Sequence, residues 1–494
     1  MSSPSVSLSW PSSSLFRFPP SNDPMVLPPP QAGSTLSAPL FSIPPSLYTS
    51  VLDVKVPITI ASVYAVTVVS LNAYNRSQGN KPWRISKTRA FFCFVVLHNV
   101  FLAVYSAWTF YGMLRALRVS TQRPSGPAGF AGTVDSLCKI HGPSGLGHAI
   151  AYNASESRWI SQSPSTVLLT DAGVPDSTDV GRLWNEGLAF YGWFFYLSKF
   201  YEVLDTAIIL AKGKRSSTLQ TYHHAGAMMC MWAGIRYMSP PIWMFVFVNS
   251  AIHALMYTYY TLTAFSVPIP NTLKRSLTTM QIIQFLVGVA YAALHSFISY
   301  SIPVRVPFLK EAMSVTANAT SSAAATATAA SVMDIIKKLL FRAVGGEGVA
   351  ENVNAAHTPG IIEQTNPLGA GTVKYHTVYK SVPCIDTSGQ TLAIWLNVFY
   401  LAPLTFLFGR FFVKSYLRRT DKAGHDSANV EKAGRDAVKG VERSFSGVGN
   451  GGKMNGNVKM NGNGQMNGNG QINGNVKMDG NGQVNVNGKA GGKH

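Results

Sequence analysis

Charge is what this sequence has least of. Only 13% of its 494 residues are Asp, Glu, Lys or Arg, while 46% are hydrophobic. Soluble domains carry about 25% charged residues, so the deficit excludes an ordinary soluble chain and points to an integral membrane protein. Acid is scarcer than base, 22 against 41, which leaves a net charge of +19. The basic residues sit mostly in short loops beside apolar segments, as on the cytosolic side of membranes, so no nucleic-acid partner is expected. Four cysteines are too few for a disulfide scaffold. They offer no CxxC spacing either, and no metal or cofactor is expected. The chain also lacks a basic start followed by an apolar core, which argues against a cleaved signal peptide.

Long apolar runs, by contrast, are plentiful. Seven lie at 56–74, 90–114, 183–211, 222–237, 242–265, 277–302 and 392–413. Most reach the roughly 20 residues that a membrane-spanning helix needs; the fourth is short and opens on polar residues. Arg76, Lys81, Arg84, Lys87 and Arg89 follow the first segment. Lys212, Lys214 and Arg215 follow the third, Lys274 and Arg275 the fifth, and Lys414, Arg418, Arg419 and Lys422 the seventh. All fall on one side if the segments alternate, and that side is the cytosol. The expected fold is therefore all-α, a polytopic membrane protein with seven transmembrane helices, its N-terminus lumenal and its C-terminus cytosolic. Residues 1–50, rich in Pro and Ser, are expected as a flexible arm ahead of a helical domain at 51–420.

Two long loops, 115–182 and 303–390, then share the lumenal side. Each carries a glycosylation triplet, Asn153-Ala154-Ser155 and Asn318-Ala319-Thr320, whereas Asn75-Arg76-Ser77 faces the cytosol and is expected to be silent. The second loop reads as an insertion, with apolar spacing at 332–341 that suits a surface amphipathic helix. Residues 421–494 end in Asn/Gly hexapeptide repeats with one apolar residue each, a composition expected to stay disordered.

Polar clusters interrupt four successive segments, and polar groups at membrane depth tend to be functional. Lys199, Glu202, Asp205 and Thr206 recur at helical spacing near the cytosolic end of the third segment. Gln220, His223 and His224 open the fourth. Asn249, His253, Met256, Tyr257 and Tyr260 form one stripe on the fifth, and Gln281 and Gln284 share a face of the sixth. A Lys–Glu pair that holds helices together, tyrosines as interface anchors and interhelical glutamine bonds are the plain structural roles. Together, however, the clusters describe one intramembrane site of imidazoles, carboxylates and phenols beside cationic loops. It suits a substrate with an anionic head and an apolar tail, such as an acyl-CoA. The phosphates would meet Lys199, Lys212, Lys214, Arg215, Lys274 and Arg275. Imidazole, with an ordinary pKa of about 6.5, would serve as base or nucleophile.

Lys199-Phe200-Tyr201-Glu202-Val203-Leu204-Asp205-Thr206, His223-His224, His253-Ala254-Leu255-Met256-Tyr257-Thr258-Tyr259-Tyr260 and Thr278-Thr279-Met280-Gln281-Ile282-Ile283-Gln284 resemble, in order and spacing, the four signature boxes of the ELO family of fatty-acid elongases. The likeness extends from about residue 81 to 419 and includes Leu97-His98-Asn99; it is greatest to fungal members. It implies 3-oxoacyl-CoA synthesis in the endoplasmic reticulum membrane. Malonyl-CoA is decarboxylated and its two-carbon unit joined to a long-chain acyl-CoA, alongside the reductases and dehydratase of the cycle. The family's histidine box normally begins with His, which takes the acyl group; here Gln220 stands there, as in a Gln-type variant. The expectation is that His224 or His223 shares acyl handling and base work with His253, while Gln220 positions the thioester carbonyl.

A diiron desaturase or hydroxylase also uses adjacent histidines but needs about eight, and this chain adds only scattered His98 and His295 to its three. A non-catalytic seven-helix receptor or transporter would not need the boxes. Cys93 and Cys230 lie inside apolar segments. Cys138 and Cys384 fall in the two loops assigned to the oxidising lumen, where pairing is expected, and the resemblance implies the same disulfide.

Overall fold

The computed structural model describes residues 4–20, 24–161, 169–307, 352–353, 362–364 and 373–413. Apolar runs become helices because a backbone without water must satisfy its own hydrogen bonds. After a short α1 (Pro45–Val51) come α2 (Lys55–Ser77), α3 (Arg89–Ser120) and α4 (Gly129–Cys138). They are followed by α5 (Ala189–Tyr201), α6 (Val203–Ala211), α7 (Thr218–Arg236), α8 (Ile242–Ala264), α9 (Asn271–His295) and α10 (Ser388–Phe412). Hydroxyl caps start three of them. Thr88 accepts from the Phe91 N–H, Ser217 from Gln220 and Thr387 from Gln390, satisfying donors that a helix start leaves open.

Neighbour by neighbour, the packing runs α3, α8, α9, α10, α7, α5 and closes from α5 back to α3, while α2 lies against α6 and α7. The usual polarity is inverted. Val63, Val66 and Val69 of α2, Leu97 and Val104 of α3, and Phe399 and Phe406 of α10 are exposed, while His98, Asn99, Lys199, Glu202 and His253 are buried. Among the described residues five helices, α2, α3, α8, α9 and α10, are long and apolar enough to cross a membrane.

Three expectations need amendment. The third apolar segment is not one helix: a π-helical turn at Trp184–Leu188 leads into α5, and Glu202 separates α5 from α6. The sixth stops at His295, and its last residues enter a strand. The chain is thus mostly helical instead of all-α. Strands β1 (Val6–Leu8), β4 (Ile298–Pro307), β5 (Asn352–Val353), β6 (Ile362–Gln364) and β7 (Val373–Pro383) form one sheet in the order β1-β4-β7-β6, with β5 also on β4. The β4–β7 ladder is antiparallel, from Ser299 opposite Pro383 to Pro307 opposite Tyr375. A separate hairpin pairs β2 (Ile150–Asn153) with β3 (Arg158–Ser161). Residues 332–341 and 421–494 lie outside the described residues.

The sheet gathers both long loops at one end of the bundle. Cys138 is disulfide-bonded to Cys384, with Cα atoms 4.8 Å apart. Arg182 pairs with Asp135 at 2.5 Å and donates to the carbonyls of Asp135, Lys139, Pro143 and Gly145. Tyr300 donates to the other Asp135 oxygen at 2.8 Å, and Lys139 pairs with Asp386. At the opposite end, Asn75 donates to the Leu210 carbonyl at 2.8 Å and accepts from Trp83, while Asn72 and Ser216 exchange two bonds. The expected N-terminal arm is laid on the bundle. β1 pairs with β4, and Trp184, Arg115 and Arg236 donate to the carbonyls of Leu27, Leu36 and Pro24. A proline-rich stretch has carbonyls its own backbone leaves open, and these donors use them.

Candidate active site

At the centre of the ring lies a buried ion pair. Lys199 Nζ sits 2.7 Å from Glu202 Oε1, one turn further along the chain, and Ser198 Oγ donates to the same oxygen at 3.1 Å. Both charged side chains are almost fully buried. Burial of this kind is sustained only by pairing and by further hydrogen bonds. From α8, His253 places Nδ1 3.7 Å from Glu202 Oε1, and Asn249 Oδ1 accepts from Lys199 at 3.4 Å. Asn249 in turn reaches Gln284 of α9 at 3.5 Å.

Beside this pair is a cavity of about 40 Å³. Its polar lining is Lys199, His223, Asn249, Gln284, Asn397 and Tyr400, and its apolar lining includes Phe195, Met231 and Phe285. The Asn397 amide donates to the Ala393 carbonyl at 2.8 Å, and its Oδ1 is buried without a partner among the described residues. His223 Nδ1 lies 2.8 Å from the Tyr400 hydroxyl.

The remaining predicted residues divide into neighbouring groups. Asp205 accepts from Tyr257 at 2.6 Å and lies 2.8 Å from His98 Nε2, joining α6 to α8 and α3. Thr206 meets the Tyr64 hydroxyl at 2.9 Å and accepts from Gln220 at 3.3 Å. Gln281 donates to Met256 Sδ at 3.3 Å, and Tyr260 packs beside Phe91 and Ile208. Four residues expected on one face of a single helix therefore serve two directions. Lys199 and Glu202 face the cavity side, while Asp205 and Thr206 join other helices.

Gln220, His224 and His253 do not line the cavity. The His224 ring meets Tyr64 edge-on, 6.1 Å between centroids, and its buried Nδ1 has no hydrogen-bond partner among the described residues. Lys212 ends α6 and Lys214 and Arg215 follow it, while Lys274 and Arg275 lie in the first turns of α9. A grouping with metal-ligand proximity lies elsewhere, Cys138, His295 and Cys384 within 4.8 Å, and its sulfurs are already joined in the disulfide.

Sequence reading passed over Tyr64, Asn397 and Tyr400. Asn397 and Tyr400 sit inside the apolar run Leu396-Asn397-Val398-Phe399-Tyr400-Leu401, where a tyrosine reads as an interface anchor. The signal available was Asn397, a polar residue at membrane depth, one turn before Tyr400.

Apolar outer faces, five helices of spanning length and a buried charged centre define a polytopic helical membrane protein with an intramembrane polar site. Residues 49–424 match the ELO: GNS1/SUR4 family, and the chain belongs to it. It is 36% identical over 123 residues to "Very long chain fatty acid elongase 3" of Homo sapiens, covering 25% of this chain and 46% of that protein. It is 32% identical over 124 residues to "Fatty acid elongase 2" of Trypanosoma brucei brucei, with the same two coverages. Against "Putative fatty acid elongase 2" of Schizosaccharomyces pombe it is 30% identical over 134 residues, 27% of this chain and 35% of that protein. The aligned stretch spans less than half the length of each relative. No solved structure matches the chain.

Proposed function

We propose that this protein is a condensing enzyme of fatty-acid elongation, joining the two-carbon unit of malonyl-CoA to a long-chain acyl-CoA and releasing CO2 and CoA. The observation that carries the reading is the buried Lys199–Glu202 pair beside a cavity that His223 enters, within a family whose named relatives are elongases. The reacting thioester belongs in the cavity and the acyl tail among the apolar side chains that complete its lining. The CoA phosphates belong with the cations at the end opposite the sheet. No metal or organic cofactor has a part: an imidazole supplies acyl or proton transfer, and loss of CO2 drives carbon–carbon bond formation.

In the same reading α5–α6 and α7 complete seven crossings with the five longer helices. The sheet end is lumenal, the C-terminus cytosolic, and the membrane that of the endoplasmic reticulum. The chain is read as a fungal-type member with a Gln-type histidine box opening on Gln220, and the products pass to the reductases and dehydratase of the cycle.

The test is purified protein in detergent or liposomes with labelled malonyl-CoA and a panel of acyl-CoAs, the products resolved by chain length. A 3-oxoacyl-CoA two carbons longer than its primer is expected. Absence of product from every primer would refute the assignment. His223→Ala and His253→Ala should lower turnover at least a hundredfold while the proteins stay folded and membrane-inserted. Near-native turnover in either would remove that residue from the site.

A further inference from the structure

Three Asn-X-Ser/Thr triplets occur in the chain, and the structure separates them. Asn75 is almost fully buried. Its amide donates to the Leu210 carbonyl and its oxygen accepts from Trp83, so both ends of the side chain are engaged inside the protein. Asn318 lies outside the described residues. Asn153 ends β2, where the turn 154–157 leads into β3.

Successive side chains of a strand point to opposite faces. Tyr152 and Trp159 are cross-strand partners, both buried, with ring centroids 5.4 Å apart, and Trp159 packs on His141. The Ile150 N–H donates to the His141 carbonyl at 3.0 Å, which holds the hairpin to the end of the bundle closed by the Cys138–Cys384 disulfide. A one-residue slip would bring both aromatic rings to the surface, so the register is fixed. Asn153 and Arg158, the next pair, therefore turn outward; Asn153 is half-buried and residues 154–158 are exposed. Asn153 Oδ1 accepts from the Ser155 N–H at 3.0 Å and from the Ser155 hydroxyl at 2.6 Å, while Nδ2 donates to Glu156 Oε1 at 2.8 Å. Of the two hydrogens on Nδ2, substitution of one leaves the other for Glu156, so the folded turn can carry a large group on this nitrogen. A bulky, hydrated sugar requires such a surface position.

Resting on the orientation proposed above, which makes this end lumenal, we propose that Asn153 is an N-glycosylation site. The donor is an oligosaccharide linked to a lipid through pyrophosphate. Nδ2 bonds to the anomeric carbon of the first sugar and gives up one proton. The carbon–oxygen bond to the pyrophosphate breaks, and the lipid pyrophosphate leaves with the electron pair. The triplet supplies the recognised pattern, and the hairpin supplies what the buried Asn75 lacks, an exposed turn on a fixed base. The glycan stands on the hairpin tip, apart from the residues that line the cavity.

The experiment uses the full-length protein, with a C-terminal tag, made in a eukaryotic host and recovered in sealed microsomes. A glycan-removing amidase should raise its electrophoretic mobility, and peptide mass spectrometry should then find Asp in place of Asn153, the mark of a released glycan. Asn153→Gln and Ser155→Ala should each abolish the modification at this site, whereas Ser155→Thr, which keeps the hydroxyl, should retain it. Protease added outside the vesicles reads the orientation independently, and the tag should be digested. If the tag is digested and Asn153 is unmodified, the proposal is overturned while the orientation and the condensing-enzyme reading stand. A tag protected from protease overturns the orientation, and the glycosylation site with it.

Discussion

Asp205 shows how one side chain can join three helices. Its partly buried carboxylate takes the Tyr257 hydroxyl on one oxygen and faces the fully buried His98 Nε2 on the other. Removing a partner from a buried polar group strands the groups left behind, at about 1–3 kcal/mol each and more where charge is involved. Asp205→Ala should therefore lower the thermal unfolding temperature in detergent markedly, and Asp205→Asn, which can still accept from Tyr257, by clearly less. Equal losses would mean that packing, not hydrogen bonding, is what the site supplies. The same logic explains the closeness of Lys199 and Glu202: either alone at that depth would be an uncompensated charge.

At the scale of elements, the two long loops are made into one structure by side chains from both. Cys138 and Cys384 form the covalent link, and non-reducing peptide mapping should recover them joined, with Cys93 and Cys230 unlinked. His141 belongs to the same end, its ring against Trp159 and Trp184 at 5.1 and 5.4 Å. Burial, assisted by the Arg182 charge, holds its imidazole down at about 3. The unfolded chain protonates it at about 6.5. Its contribution is thus complete above that value and is lost as pH falls from about 6.5 toward about 3, by at most about 1.4 kcal/mol per pH unit. His141→Phe should flatten this slope in unfolding measurements; an unchanged slope would show that His141 is not its source.

Over the whole molecule, chemistry and charge occupy different levels. The imidazoles lie within the helix ring, whereas Lys212, Lys214 and Arg215 follow α6 at the end opposite the sheet. Burial lowers the Lys212 ammonium to about 7, and nearby Lys214 adds to the effect. Its positive charge is present below that pH and lost above it. If these cations hold CoA phosphates, KM for acyl-CoA should rise as pH passes from about 6 to 8, more at low salt than at high salt. Lys212→Arg should remove most of the pH dependence, since arginine stays charged. Unchanged KM across that interval would assign the loop to topology alone.

Composition and apolar run length were enough to identify a membrane protein, because the hydrocarbon solvent demands the same thing of every spanning segment. Box spacing was enough to bring Lys199, Glu202, Asn249 and His253 to one place, since helical periodicity puts such residues on shared faces. It could not say that Asp205 and Thr206 turn to other helices, because those directions depend on what α2, α3 and α7 present to α6. The sheet escaped notice because β1, β4 and β7 meet only after chain segments nearly three hundred residues apart are brought together. Tyr400 is the plainest case. In the sequence it is one aromatic residue in an apolar run, and its partner is 177 positions away. Only the packing of α10 against the Gly226 notch of α7 brings its hydroxyl to His223, because a hydrogen bond depends on distances that local sequence does not encode.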